Sequence, residues 1–270
     1  MNVVAQLLKR HHYRRRKAQK RKATGSHPHR NDQFENIERL RTAYKEAGYA
    51  VLSMDTKKKE LLGLLYRDGY LYTQEGAVEV YDHDWRSLAT GIAIPHGLYD
   101  VGRNEGYIQI GGSHDTSEFA CDSIRHWWHH HGCVHYPGLK SLLLLCDGGG
   151  SNSSRHYLFK QDLQILANEL GIEIRIAHYP PYTSKYNPIE HRLFPHVSRS
   201  MQGVILTSLE QVQGLIAKTT TKTGLKVFAT ILDPVYETGR KVEEDFKQTM
   251  EIVFDSLMPQ WNYVAKPLSS

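Results

Sequence analysis

Apolar residues along the middle of the chain fall into short runs separated by longer stripes of helical period. "YAVLSMD" (49–55) is a nearly continuous apolar run ending on Asp55, the pattern of a strand buried on both faces. "LLGLLY" (61–66) and "YLYT" (70–73), joined through Arg67, Asp68 and Gly69, predict two further strands and a turn. Residues 74–97 read as a long polar insertion. "GYIQIG" (106–111) predicts a strand and residues 116–131 a helix. "SLLLLC" (141–146) is a strand cut off sharply by Asp147 and three glycines. Phe159, Leu163, Leu166, Ala167 and Leu170 then make a helical stripe, and "IEIRIA" (172–177) alternates as a strand.

The flanks are helical in period. "NVVAQLLKRHHY" spaces Val4, Leu7 and Leu8 as a helix does, and a charged, then turn-rich linker follows. Phe34, Ile37, Leu40 and Tyr44 form a stripe within residues 33–47. "PPYTSKYNPIEHRLF" (180–194) is a proline-rich loop that opens a helix, with Asn187 at the N-cap and Pro188 at the first helical position. Glu190 then stands third in the helix, where its carboxylate can reach back to the cap residue's N–H. Two more stripes, Leu209/Val212/Leu215/Ile216 and Val242/Phe246/Met250/Val253, predict a helical C-terminal part. The order strand, strand, strand, helix, strand, helix, strand, helix describes an α/β protein: a mixed sheet flanked by helices, in the element order of the ribonuclease H-like fold. No internal repeat is present.

Charge changes this picture at one end. Residues 1–30 carry ten of the 34 Lys and Arg and none of the 29 Asp and Glu. A basic arm on a mildly acidic body points to nucleic acid, with a solvated tail as the plainer alternative. Across the 270 residues no apolar run approaches the ~20 residues needed to cross a bilayer. No apolar segment follows the basic N-terminus as a signal peptide requires. Cys121, Cys133 and Cys146 are odd in number and widely spaced, which argues against a disulfide framework and fits a reducing cytosol.

Three acids stand at element ends: Asp55, Asp147 and Glu190. In α/β sheets function gathers at strand carboxyl ends. If the strands ending at 55 and 147 are parallel neighbours, the two aspartates meet, and a helix packed across that end adds Glu190. Three hard oxygen ligands suit Mg2+ or Mn2+, and two such ions serve phosphoryl transfer. Each acid also has a plainer reading: Asp147 as a turn residue, Asp55 as a strand-end ion pair, Glu190 as a cap.

Neighbouring residues are weighed in the same way. Asn152 and Asn187 are placed to orient a carboxylate or a water, or else serve as turn and N-cap. Lys57, Lys58, Lys59, Lys185 and Arg192 suit DNA phosphates, or else form a solvated charged face. His191 adjoins Glu190 on another side of the helix. "HWWHHHGCVH" (126–135) sets His126 and His130 one helical turn apart with Cys133 near, a zinc-like arrangement without a matching pair at finger spacing. The alternative is a helix with exposed imidazoles and Trp127 or Trp128 turned to the core. "DGGG" lacks the spacing of a phosphate-binding loop.

"SMDTKKKELLG", "IRHWW", "LLCDGGGSNSSR", "PPYTSKYNPIEHRLF" and "TTTKTGLKV" together resemble bacterial insertion-sequence DDE transposases of the ISAzo-thirteen type, distant relatives of the Tc/mariner superfamily. The resemblance runs from about residue 26 to 263, and the "DGGGSN" and "SKYNPIEHRLF" blocks are its specific parts. It implies that Asp55, Asp147 and Glu190 are a catalytic triad holding Mg2+ or Mn2+, as two ions, with Asn152, Asn187, Lys185 and His191 in support. It implies a DNA transposase that cleaves strands at element ends and transfers them to target DNA, working on double-stranded DNA as a homodimer, in the cytoplasm at the bacterial nucleoid. Residues 1–30 would be a basic arm, the last helix of an N-terminally truncated DNA-binding domain plus linker. Its Arg14, Arg15, Arg16 and Lys17 would contact DNA, together with Lys57 and Lys58. Residues 31–48 would be a linking helix, 49–205 a ribonuclease H-like catalytic domain and 206–270 a helical region and tail. The rival readings are a non-catalytic DNA-binding protein and an inactive transposase remnant.

Overall fold

The computed structural model describes residues 3–14, 16, 25, 27–74, 76–150, 154 and 156–268. Its elements run in the order α1 (Val3–Arg10), α2 (Arg30–Glu46), β1 (Val51–Thr56), β2 (Glu60–Leu62), β3 (Gly91–Asp100), β4 (Glu105–Gly111) and α3 (Ser117–Trp127). A π-helical turn, Trp128–Gly132, leads into α4 (Cys133–His135), followed by β5 (Ser141–Cys146), α5 (Tyr157–Leu170) and β6 (Glu173–His178). Then come α6 (Pro188–Arg192), α7 (Phe194–Ser200), α8 (Leu209–Ala217), β7 (Lys226–Ile231), α9 (Phe246–Thr249), β8 (Ile252–Phe254) and β9 (Asn262–Ala265).

Among the described residues the strands form one mixed sheet in the order β7-β4-β3-β1-β5-β6-β9-β8, with β2 added beside β3. β1, β5 and β6 are parallel neighbours at its centre. β3 and β4 continue the sheet antiparallel on one side, and β9 and β8 do so on the other. Side chains of a strand alternate between the two faces. On one face Leu52, Met54, Leu142, Leu144 and Cys146 pack against Ile124 and Trp127 of α3 and Phe159, Leu163 and Leu166 of α5. On the other, Val51, Leu143 and Leu145 meet Ile37 and Leu40 of α2, and Tyr99 and Ile108 meet Ile189, Leu193 and Phe194 of α6 and α7. Both faces of β5 are covered, so its sequence is an unbroken apolar run.

The structure departs from the sequence-based expectations in three places. "YLYT" is not a strand: Tyr70 and Tyr72 stand fully in solvent, and of the 61–66 run only Leu61 and Leu62 pair, as part of β2. The supposed insertion through residue 97 hides most of β3, buried from Ala93 to Asp100. Gly91, Pro95 and Gly97 had given that strand the composition of a loop. The C-terminal part is not mainly helical. Of the Val242–Val253 stripe only Phe246–Thr249 is helix, Val253 lies in β8, and β7, β8 and β9 all join the sheet. Residues beyond 206 thus complete the same sheet, because the open sides of β4 and β6 offer backbone hydrogen bonds that outweigh a weak helical period.

Candidate active site

β1 ends where its apolar alternation ends. Ser53 and Asp55 share the face opposite Leu52 and Met54, and Asp55 lies across from Gly97 of β3. Met54 pairs in parallel register with Cys146, so the next positions, Asp55 and Asp147, are neighbours at the carboxyl end of the sheet. Beyond Asp147 the glycines stop the strand, and the Gly149 N–H turns back to donate to Asp147 Oδ1 at 3.3 Å. The Thr56 N–H donates to Asp55 Oδ1 at 2.7 Å.

Glu190 arrives from α6, and its role there is not the cap the sequence suggested. The Asn187 N–H is already taken by the Ser184 carbonyl at 2.8 Å. Asn187 does stand at the N-cap with Pro188 after it, yet its side chain makes no bond to the helix. Its amide donates instead to the Met54 carbonyl at 3.1 Å, and its Oδ1 accepts from the Ser53 hydroxyl. Ser53 in turn accepts the Ile189 N–H at 2.9 Å, so a strand residue supplies the helix's cap. The helix can lie this close because Gly97 and Gly106 face it. A methyl group at Gly97 would come within 2.8 Å of Ile189 Cδ1, and one at Gly106 within 2.4 Å of Leu193 Cδ1. So held, Glu190 comes close enough to Asp55 to act on its carboxyl group.

Burial first, then the charge of Asp147 and the nearby Glu190 carboxyl, push the Asp55 pKa up to about 8. Asp147 is raised as well, by burial first and then by Glu190 and Asp115. Asp115, absent from the sequence-based set, accepts the Thr56 hydroxyl at 3.1 Å. Nothing in its local sequence links it to Asp147; only the packing of α3 against the sheet does. Among the described residues no Lys or Arg pairs with Asp55, Asp147 or Glu190. Nor do three acids, histidines or cysteines there close around one point as a ready metal cage. The site is an excess of facing carboxylates, half-buried at Asp55 and Asp147 and open to solvent at Glu190. Hard oxygen donors without a cationic partner fit a divalent cation that keeps positions free for further oxygen ligands.

The remaining expected residues divide. Lys185 is exposed beside the Tyr186 ring at 5.2 Å, His191 is exposed on α6, and Asn152 lies outside the described residues. Lys58, Arg14 and Arg16 are exposed, whereas Arg15 and Lys17 lie outside the described residues. Lys57 is a correction: it is buried and ion-paired to Glu60, which also binds Arg67, so it is not free to meet a phosphate. Arg192 lines an open cleft of about 810 Å³ together with Arg41, Lys45 and Arg103. In the histidine run Trp127 is buried, and the His126 and His130 rings stack at 4.0 Å rather than converge on a point.

No described helix is long and apolar enough to cross a membrane. Comparison with solved structures finds the Mos1 mariner paired-end complex with Mn, at 12% identity and a TM-score of 0.46, covering 79% of this chain and 65% of that one. It also finds the Mos1 transposase paired-end complex with the left transposon end, at 14% identity and a TM-score of 0.49, covering 78% and 60%. The chain thus spans less than two thirds of either, and likeness of this degree says nothing of its chemistry. A search of curated proteins finds no match. The family model described as the Rhodopirellula transposase DDE domain matches residues 1–267. Nearly the whole chain is covered, and the chain belongs to that family.

Proposed function

We propose that the chain is the catalytic part of a DNA transposase, with Asp55, Asp147 and Glu190 as its metal-holding triad. One observation carries the reading: parallel pairing of β1 and β5 sets Asp55 beside Asp147, and α6 carries Glu190 near enough to act on both. The family supports the same reading. The three carboxylates would hold Mg2+ or Mn2+, as two ions, which would supply an activated attacking oxygen and a stabilised leaving oxygen.

Both steps are displacements at phosphorus. In cleavage, a water oxygen bonds to phosphorus and the strand's 3′ oxygen leaves with a proton. In transfer, that 3′ hydroxyl attacks a target phosphodiester and a new 3′ oxygen leaves. This chain's own residues supply position. Glu190 and residues 148–150 are exposed, so a DNA strand reaches the acids from solvent. Lys58 and Lys185, exposed and close in sequence to Asp55 and Glu190, are the phosphate contacts of this reading, and Arg192 would add to them from the cleft it lines with Arg41, Lys45 and Arg103. Arg14 and Arg16 of the basic arm add salt-sensitive, sequence-blind attraction to double-stranded DNA. Two copies, one for each element end, are the proposed working unit.

The test is nicking of duplex DNA with Mg2+ or Mn2+ by the wild type and by Asp147→Asn. The amide keeps the shape but loses the charge that holds the ion, so the variant is expected to bind DNA, melt normally and fail to cut. Cutting by Asp147→Asn, or calorimetry showing no divalent-ion binding by the wild type, would overturn the reading in favour of a non-catalytic DNA-binding protein.

A further inference from the structure

β6 ends on His178, a completely buried side chain with both ring nitrogens engaged. Nδ1 lies 3.0 Å from the Asp147 carbonyl oxygen and Nε2 lies 3.1 Å from the Tyr263 hydroxyl. A carbonyl only accepts, so Nδ1 carries the hydrogen. The Tyr263 hydroxyl meets the other ring nitrogen, Nε2, and can donate to it. A chain of contacts thus runs from the Tyr263 hydroxyl through the His178 ring to the Asp147 carbonyl, with Nδ1–H donating at its end.

Tyr263 sits in β9, the strand that residues 262–265 add beside β6. Its buried ring also faces Lys160, whose Nζ lies 4.7 Å from the ring centre and donates to the Ser154 carbonyl at 2.6 Å. Asp147 and Ser154 are the two ends of the glycine-rich segment after β5. That segment carries Gly148, Gly149 and Gly150, which are exposed and restrict their own backbone little. The direction of the Asp147 side chain therefore depends on what holds its peptide from below.

We propose that His178 and Tyr263 are positioning residues for Asp147: the Tyr263–His178 pair fixes the Asp147 peptide so that its carboxylate faces Asp55 before any ion or DNA arrives. The proposal rests on the reading of Asp147 as a metal ligand. It makes the C-terminal strand part of the catalytic machinery, since β9 reaches Asp147 through this ring. Preorganising a ligand through its outer partners is worth one to two orders of magnitude in metal affinity in other metal sites.

Titration calorimetry with Mn2+ tests this on the full chain, with folding followed by thermal melts. His178→Leu removes the donor to Asp147, and about tenfold weaker Mn2+ binding is expected. His178→Asn places an amide N–H near the Nδ1 position and is expected to restore binding to within about threefold of wild type, although its smaller side chain fills the core less well than leucine does. Tyr263→Phe, which keeps the ring and removes only the hydroxyl, is expected to raise the Mn2+ concentration needed for half-maximal cleavage while saturating Mn2+ restores the rate. Equal losses in His178→Leu and His178→Asn would show mere packing and overturn the proposal, as would wild-type Mn2+ affinity in both His178→Leu and Tyr263→Phe. An Asp147→Asn chain that binds Mn2+ like the wild type would instead remove the premise, a result distinguishable from either.

Discussion

The Ser53 hydroxyl lies 2.5 Å from the amide oxygen of Asn187, and this contact joins the strand that carries Asp55 to the helix that carries Glu190. Ser53 is two residues before Asp55 on the same face of β1, and Asn187 is three residues before Glu190. The lock therefore sits directly behind the carboxyl pair. Ser53→Ala leaves the Ile189 N–H and the Asn187 Oδ1 buried without this partner. A loss of about 1–3 kcal/mol in urea unfolding is expected, with weaker divalent-ion binding. Unchanged stability together with unchanged ion affinity would mean the lock does not set the Glu190–Asp55 contact.

Gly97 tests the same contact from the other side. Its position opposite Asp55 leaves room for Ile189 and Phe194, whose atoms would stand 2.8 and 2.7 Å from an added methyl group. Gly97→Ala is expected to push α6 outward and destabilise the chain by about 1–3 kcal/mol. The accompanying loss of metal-dependent cleavage should exceed that of an exposed variant such as Lys58→Ala. A Gly97→Ala chain that cuts and melts like the wild type would contradict the close approach of α6.

Without metal, the chain should lose stability as the pH rises. Asp55 has a folded-state pKa raised to about 8 from its ordinary 3.8. The folded state then binds a proton that the unfolded state has released, so the favourable contribution is complete below about pH 4 and gone above about pH 8. Asp147 shifts in the same direction. Melting temperatures of the metal-free wild type should fall between pH 5 and 9 more steeply than those of Asp55→Asn, and saturating Mg2+ should reduce the difference. Parallel curves for the two proteins would exclude a strained carboxyl cluster.

Lys57 and Lys58 are adjacent in sequence and opposite in role. Lys57 is buried against Glu60, which Arg67 also binds. Its replacement by Met is expected to disturb folding, because Glu60 loses one buried partner; breaking such a pair costs about 3–5 kcal/mol where no second cation remains. Lys58→Ala should leave the melting temperature unchanged and lower affinity for random duplex at low salt. The paired measurement is a melt and a salt-dependent DNA titration; equal DNA defects in two folded variants would place Lys57 in solvent.

Local pattern alone placed each of the three acids at the end of an element. The apolar run before Asp55, the run and glycine stop around Asp147, and Asn187-Pro188 before Glu190 are all short-range signals, because strand alternation and helix entry are decided by neighbouring residues. What those signals lacked was any record of adjacency. That Met54 pairs with Cys146, and that Ser53 meets Asn187, depends on which strands share hydrogen bonds across more than 90 and 130 residues of chain. β3 was hidden for a related reason: Gly97 weakens a strand taken by itself, and is required there only because α6 lies against it. β9 and His178 were hidden most deeply. Tyr263 and His178 are unremarkable aromatic residues in sequence, and they acquire a common purpose only when β9 pairs with β6 and closes the hydrogen-bond chain beneath Asp147. Sequence determined which residues end the strands; long-range backbone pairing, whose partners no local propensity encodes, decided which of them face one another.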